Sequence, residues 1–253
     1  MSAHAAGAEP GRGRMWWRLA LLGLPGTLSV ALIPLDGFGP PPFDPALLKL
    51  LVVIQPTVLM LLAIALGLWA APKVGLDAPA VRAWAERRPI LPALAPQLAP
   101  AALGGLAMAI MLVGFWWVVR GQAFAAPVIA LEMPLATKLL YGGIVEELLL
   151  RWGVMSLFVW LAWRLGGAAR PVPGWAVWGA LVASSVLFAA GHLPMLHVLL
   201  PAAPGWFVGM ALTANFIPGL LFGWLYWRRG LEAAILAHAL AHLLSTAALA
   251  LLP

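Results

Sequence analysis

The stretch LLYGGIVEELLLRWGVMSLFVWLAW, Leu139–Trp163, decides how this chain is read. It is long and apolar enough to cross a bilayer as a helix, for which about 20 residues suffice. Yet it carries Glu146, Glu147 and Arg151 within six residues. An ionised side chain near the centre of a spanning helix costs roughly 2.5–3.5 kcal/mol even on the lenient insertion scale, so three together mark a site. Residues four apart share a helix face, which sets Arg151 over Glu147 in the acid-before-base order that pairs best. Glu146 is rotated about 100° away and lacks that partner. A desolvated carboxyl group beside a second acid, free of a counter-ion, has the character of a general base. An ion pair that only staples helices together accounts for Glu147 and Arg151 but leaves Glu146 unexplained.

Composition points the same way. Hydrophobic residues make up 63% of the 253, charged residues 9%, and 14 are Trp. So few polar groups cannot cover a water-soluble surface. Spanning stretches are read at Trp16–Ile33, Leu47–Ala71, Pro100–Val119, Leu135–Trp163, Trp175–Leu199, Trp206–Trp227 and Leu231–Leu252. They predict an all-α polytopic membrane helix bundle of about seven transmembrane helices, multi-pass in the cell membrane. With the N-terminus inside, eleven of the fifteen Lys and Arg residues fall on cytoplasmic segments, so the positive-inside rule favours N-in/C-out. Trp pairs at helix ends, such as Trp16-Trp17 and Trp116-Trp117, fit interfacial anchors. The net charge of +6 is then explained by topology and membrane lipids, without nucleic acid. The absence of Cys excludes disulfides, thiolate metal ligands and a cysteine nucleophile.

The chain divides into a disordered cytoplasmic tail at 1–15, three N-terminal transmembrane helices over 16–134, and a helix bundle that carries the charged cluster over 135–253. Within the second part, 72–99 reads as a Pro-rich, basic cytoplasmic loop in which DAPAVRAWAERR, Asp77–Arg88, predicts a short surface helix. The first apolar stretch also has the form of a cleavable signal peptide, with Ser29-Val30-Ala31 as small residues at its end. Nucleotide-binding Gly-rich, His-Glu-x-x-His and Gly-x-Ser-x-Gly patterns are absent.

Four of the five histidines, His192, His197, His238 and His242, lie in the same half as the glutamates. Phe188 and His192 are one turn apart, as are His238 and His242, while His197, past Pro194, reads as a loop or interface residue. Three ordered motifs emerge: Glu146-Glu147-x-x-x-Arg151, Phe188-x-x-x-His192 and His238-x-x-x-His242, with Gly219-x-x-x-Gly223 before the third.

In these motifs the chain resembles the CPBP family of intramembrane proteases, which includes type II CAAX prenyl endopeptidases and Abi-like bacteriocin-processing enzymes. The resemblance covers roughly residues 135–252 and departs from the family pattern at His242, where Asn is usual. It implies a hydrolase in which Glu146 activates water with help from His192. It further implies that Glu147 and Arg151 hold the site together, that Phe188 lines it, and that His238 and residue 242 stabilise the oxyanion. An imidazole N–H at 242 can still donate, with a different reach from an amide. The implied partners are peptide or membrane-protein substrates. For a bacterial chain these are small secreted peptides, signal-type anchors or bacteriocin precursors in place of prenylated CAAX proteins. The resemblance favours a mechanism without metal or other cofactor. Zinc held by Glu146, His192, His238 and His242 is the competing reading, since histidines four apart suit such sites.

From another class, the same polar cluster fits a non-catalytic membrane protein that binds, as an immunity or scaffold partner. A proton-relay transporter is disfavoured by the scarcity of polar groups beyond Gln55 and Thr57 in the first three helices. Bis-histidine haem binding is a further option. Counting along ideal helices from the cytoplasmic ends puts Glu146 and His192 about 25 Å deep but His238 and His242 only about 10–16 Å deep. A single site requires that mismatch to close.

Overall fold

The computed structural model describes residues 9–34, 44–122, 124 and 133–251. Proline and glycine set many of the helix ends. Helix α1 (Glu9–Ser29) runs into a short 3₁₀ turn, Val30–Leu32. Helix α2 (Pro45–Val74) starts where the Asp44 carboxylate accepts the N–H groups of Ala46 and Leu47, and stops at Gly75, whose φ of 77° is left-handed. Helix α3 (Pro79–Ala85) and helix α4 (Leu91–Val119) each have a proline in the first turn. Leu135–Thr137, Lys138–Val145, Leu148–Met155 and Ser156–Leu165 follow one another as a single helical rod, α5. Then come α6 (Gly174–Gly191), α7 (Leu193–Leu199), α8 (Gly205–Arg229) and α9 (Leu231–Ala250). No strand occurs among the described residues.

Among the described residues six helices are long and apolar enough to cross a membrane: Gly11–Leu32, Ala46–Val74, Leu91–Val119, Gly174–Leu199, Gly205–Arg229 and Leu231–Ala250. The seventh expected span, Leu135–Trp163, is helical throughout but differs in kind. Much of α5 is π-helix, Lys138–Val145 and Leu148–Met155, with i→i+5 turns that each hold one residue more than an α turn. Its first half packs on α1 and α9, its second on α2, α6 and α8, which makes it the centre of the bundle. The outside is apolar: Leu62, Leu103 and Ile110 are all more than 60% exposed. Such a surface belongs in lipid.

Three expectations about the N-terminal half change. The tail expected at 1–15 lies partly outside the described residues, and from Glu9 the chain is helical. Helix α4 starts at Leu91, within the expected loop 72–99. Helix α3 forms where DAPAVRAWAERR predicts a helix but is no surface element, because Ala80, Val81, Ala83 and Ala85 are buried. Alanines on its inner face let it dock over the start of α9. There the Glu232 carboxylate accepts the Val81 N–H at 2.8 Å and the Gln97 amide N–H at 3.1 Å, while Gln97 Oε1 accepts the Ala233 N–H at 2.8 Å. The Leu231 N–H reaches the Asp77 carbonyl at 3.1 Å. Gly230, at φ 122°, makes the turn, and a Cβ on it would meet Pro79 Cδ at 2.6 Å. Basic side chains of this end lie over tryptophan rings, Arg18 over Trp84, Lys73 over Trp69 and Arg170 over Trp163.

Candidate active site

A cavity of about 440 Å³ opens between α2, α4, α5, α6, α8 and α9. Glu146, Phe188, His192, His238 and His242 all line it. The three motifs therefore meet at one place, and the mismatch in depth closes. Helix α9 begins beneath α3, so the thickness of a helix, about 10 Å, is added above its first residue. Leu231 is accordingly fully buried.

The two glutamates part company as their positions on the helix require. Glu147 is fully buried, with its Oε1 3.1 Å from Arg151 Nη1 and 2.8 Å from His238 Nδ1. Arg151, 1% exposed, donates through Nη2 to the Gly219 carbonyl at 3.2 Å and lies over the Phe188 ring at 4.8 Å. Among the described residues Glu147 Oε2 and Arg151 Nε and Nη1 have no hydrogen-bond partner, so the ion pair is close without being fully bonded. Glu146 points the other way, into the cavity, its Oε2 3.9 Å from His238 Nε2.

Hydrogen bonding sets the histidine tautomers. A carboxylate accepts only, so His238 Nδ1–H donates to Glu147. In the neutral ring Nε2 of His238 is then an acceptor, and the Nε2–H of His242 donates to it at 3.1 Å. His192 Nδ1–H donates to the Phe188 carbonyl at 2.8 Å, leaving its Nε2 as the ring's acceptor. Phe222 stacks on His238 at 4.7 Å, and His242 stacks at 4.9 Å, which fixes both ring planes. Close backbone approach makes this possible: a Cβ at Gly142 would come within 2.9 Å of His242 Nε2, and one at Gly143 within 2.8 Å of Ala239 Cβ. Gly219 and Gly223 do the same between α8 and α6, meeting Ser185 and Leu181.

Among the described residues no three His, Asp or Glu side chains converge as a metal-holding group. The Nε2 atoms of His238 and His242 are turned toward each other and share a proton. His197 lies in α7, not in a loop, against a second, apolar cavity with Leu193, Pro194 and Val208. Five polar lining residues escaped the motif reading: Gln55, Thr137, Lys138, Tyr141 and Asn215. Asn215 had a signal, since an amide in the apolar run of α8 needs a reason as much as a charge does. Tyr141 precedes Glu146 by five residues, which the α-helical period hides and the π-helical one aligns.

No curated protein and no solved structure matches the chain. A family model does, that of the type II CAAX prenyl endopeptidase Rce1-like proteins, over residues 129–244. That segment holds Glu146, Glu147, Arg151, Phe188, His192, His238 and His242. Over residues 129–244, a little under half of its length, the chain is similar to the Rce1-like type II CAAX prenyl endopeptidases.

Proposed function

We propose that the chain is an intramembrane endopeptidase that hydrolyses peptide bonds of membrane-associated substrates with a water activated by Glu146. One observation carries this reading: Glu146 shares a cavity with His192, His238 and His242, while Glu147 and Arg151 are sealed behind it. Glu146 takes a proton from water, and the oxygen attacks the substrate carbonyl carbon. The C–N bond then breaks as Glu146 returns the proton to the leaving nitrogen. His192, with Nε2 as an acceptor, is placed to hold the same water. Glu147 fixes the His238 ring. The Nε2–H of His242 is the proton of the histidine pair not committed to a carboxylate. It transfers its hydrogen bond from His238 to the oxyanion as charge develops.

In this reading residues 135–253 are the catalytic bundle and 16–134 supply apolar walls. The end that gathers Arg18, Lys73 and Arg170 faces the cytoplasm, giving N-in/C-out. Hydrolysis of a fluorogenic membrane-peptide library by the detergent-purified protein tests the proposal. Cleavage lost in Glu146→Gln and retained with chelator supports it. Cleavage lost with chelator favours a metal, and no cleavage by folded wild type favours a binding protein.

A further inference from the structure

The two long walls of the cavity repeat one device. On α2, Val52 and Gln55 line the cavity and Pro56 stands four residues after Val52; on α8, Ala214 and Asn215 line it and Pro218 stands four residues after Ala214. Proline has no N–H, so in each helix the carbonyl four residues earlier loses its helical donor. Each wall thus offers a main-chain acceptor without its helical partner beside a primary amide. The Asn215 amide is held in place, because Nδ2 donates one hydrogen to the Ala211 carbonyl at 2.9 Å. Its Oδ1 and second N–H are left for the cavity. The Val52 and Ala214 carbonyls and the two amides thus supply donors and acceptors on two walls of the chamber, on helices other than those that carry the glutamate and the histidines.

The chemistry that complements such edges is specific. A lipid acyl chain has no donor to give. A helical peptide has already spent its N–H groups within itself. An extended polypeptide presents alternating N–H and C=O groups on both sides and satisfies both walls at once. We infer that Val52 with Gln55 and Ala214 with Asn215 clasp the substrate as an extended strand. The protein therefore selects membrane peptides that have left the helical state around the bond to be cut. This rests on the peptidase reading for its consequence, though the clasp can be measured without cleavage.

Binding of a dye-labelled apolar dodecapeptide to full-length Glu146→Gln protein in detergent, followed by fluorescence anisotropy, is the test. Pro56→Ala and Pro218→Ala restore the N–H that reclaims the carbonyl, and Gln55→Leu and Asn215→Leu remove the amides. Each is expected to weaken Kd roughly 2–10-fold, the worth of one hydrogen bond. A peptide with one backbone N–H replaced by an ester oxygen at the clasped position separates this from a change in helix shape. It should bind more weakly to the parent protein and show no further loss in the matching proline variant. A lactam-stapled helical version of the peptide should bind at least tenfold more weakly than the linear one. Equal Kd for linear and stapled peptides, Kd within twofold across all four variants, or no binding at all overturns the clasp. Cleavage that survives Glu146→Gln overturns the peptidase reading instead, and leaves the clasp to stand on these Kd values.

Discussion

Glu146 and Glu147 are neighbours in sequence and inhabit different solvents. Glu147 faces a closed compartment between α5, α8 and α9, where it touches Arg151 and His238 and is fully buried. Glu146 faces the cavity, with its nearest ionisable contact, His238, at 3.9 Å. In the proposed mechanism the same functional group serves as scaffold on one side of the helix and as reagent on the other. What separates the roles is one residue of helical rotation and the partners found there. Glu147 is held in place through one oxygen by Arg151 and His238, whereas Glu146 at the cavity wall is placed to reach what enters the cavity.

The sharpest way to break that contrast is Glu146→Gln. Cleavage is expected to fall about 10³-fold while the thermal midpoint of the detergent-solubilised protein stays within a few degrees; a large drop in the midpoint would make Glu146 structural. Arg151→Met is expected to do the reverse, costing about 3–5 kcal/mol in stability by leaving the Glu147 charge buried alone. Thermal unfolding reads this directly. The double variant Glu147→Leu/Arg151→Met should regain most of that loss, since an apolar pair can replace a buried ion pair. Cleavage should stay depressed because His238 has lost the carboxylate that fixes it. Recovery of both stability and cleavage would deny Glu147 any part in orienting His238. His242→Leu should lower kcat about 10²-fold with little change in KM, and His242→Asn should recover most of it, because an amide N–H again reaches the oxyanion. Least of all, Ser156→Ala removes the 2.8 Å hydrogen bond to Tyr226, neither residue lining the cavity, and should cost about 1 kcal/mol without altering kcat.

Much of the site was legible because the membrane makes polar groups conspicuous. Glu146, Glu147, Arg151, His192 and His238 stand out against apolar surroundings, and the i, i+4 spacing of Glu147 and Arg151 states their contact outright. The helical bundle was legible for the same reason. Depth was not. Counting from helix ends assumes that each end lies at the membrane surface, and α9 breaks that assumption by starting under α3. The cause is a lock of Glu232, Gln97 and Val81 spread over 151 positions, which no local pattern announces. The docking of α3 was hidden likewise, since its alanine face reads as neutral in sequence. Val52 and Ala214 were missed because what matters there is what a proline four residues later fails to supply.

The wide turns of α5 carry a consequence for how the gene can change. Because Leu148–Met155 holds more residues than α turns over the same bonds would, it is a stretch from which one residue can be lost while the rod remains helical. Such a deletion at Leu148, Leu149 or Leu150, with the wide turn kept, would turn everything before it by about 100° relative to Arg151. That angle is the one that separates Glu146 from Glu147. The site is thus written in the length of its central helix as well as in its letters, and a single-codon deletion there is a heavier lesion than most substitutions of the same apolar residues.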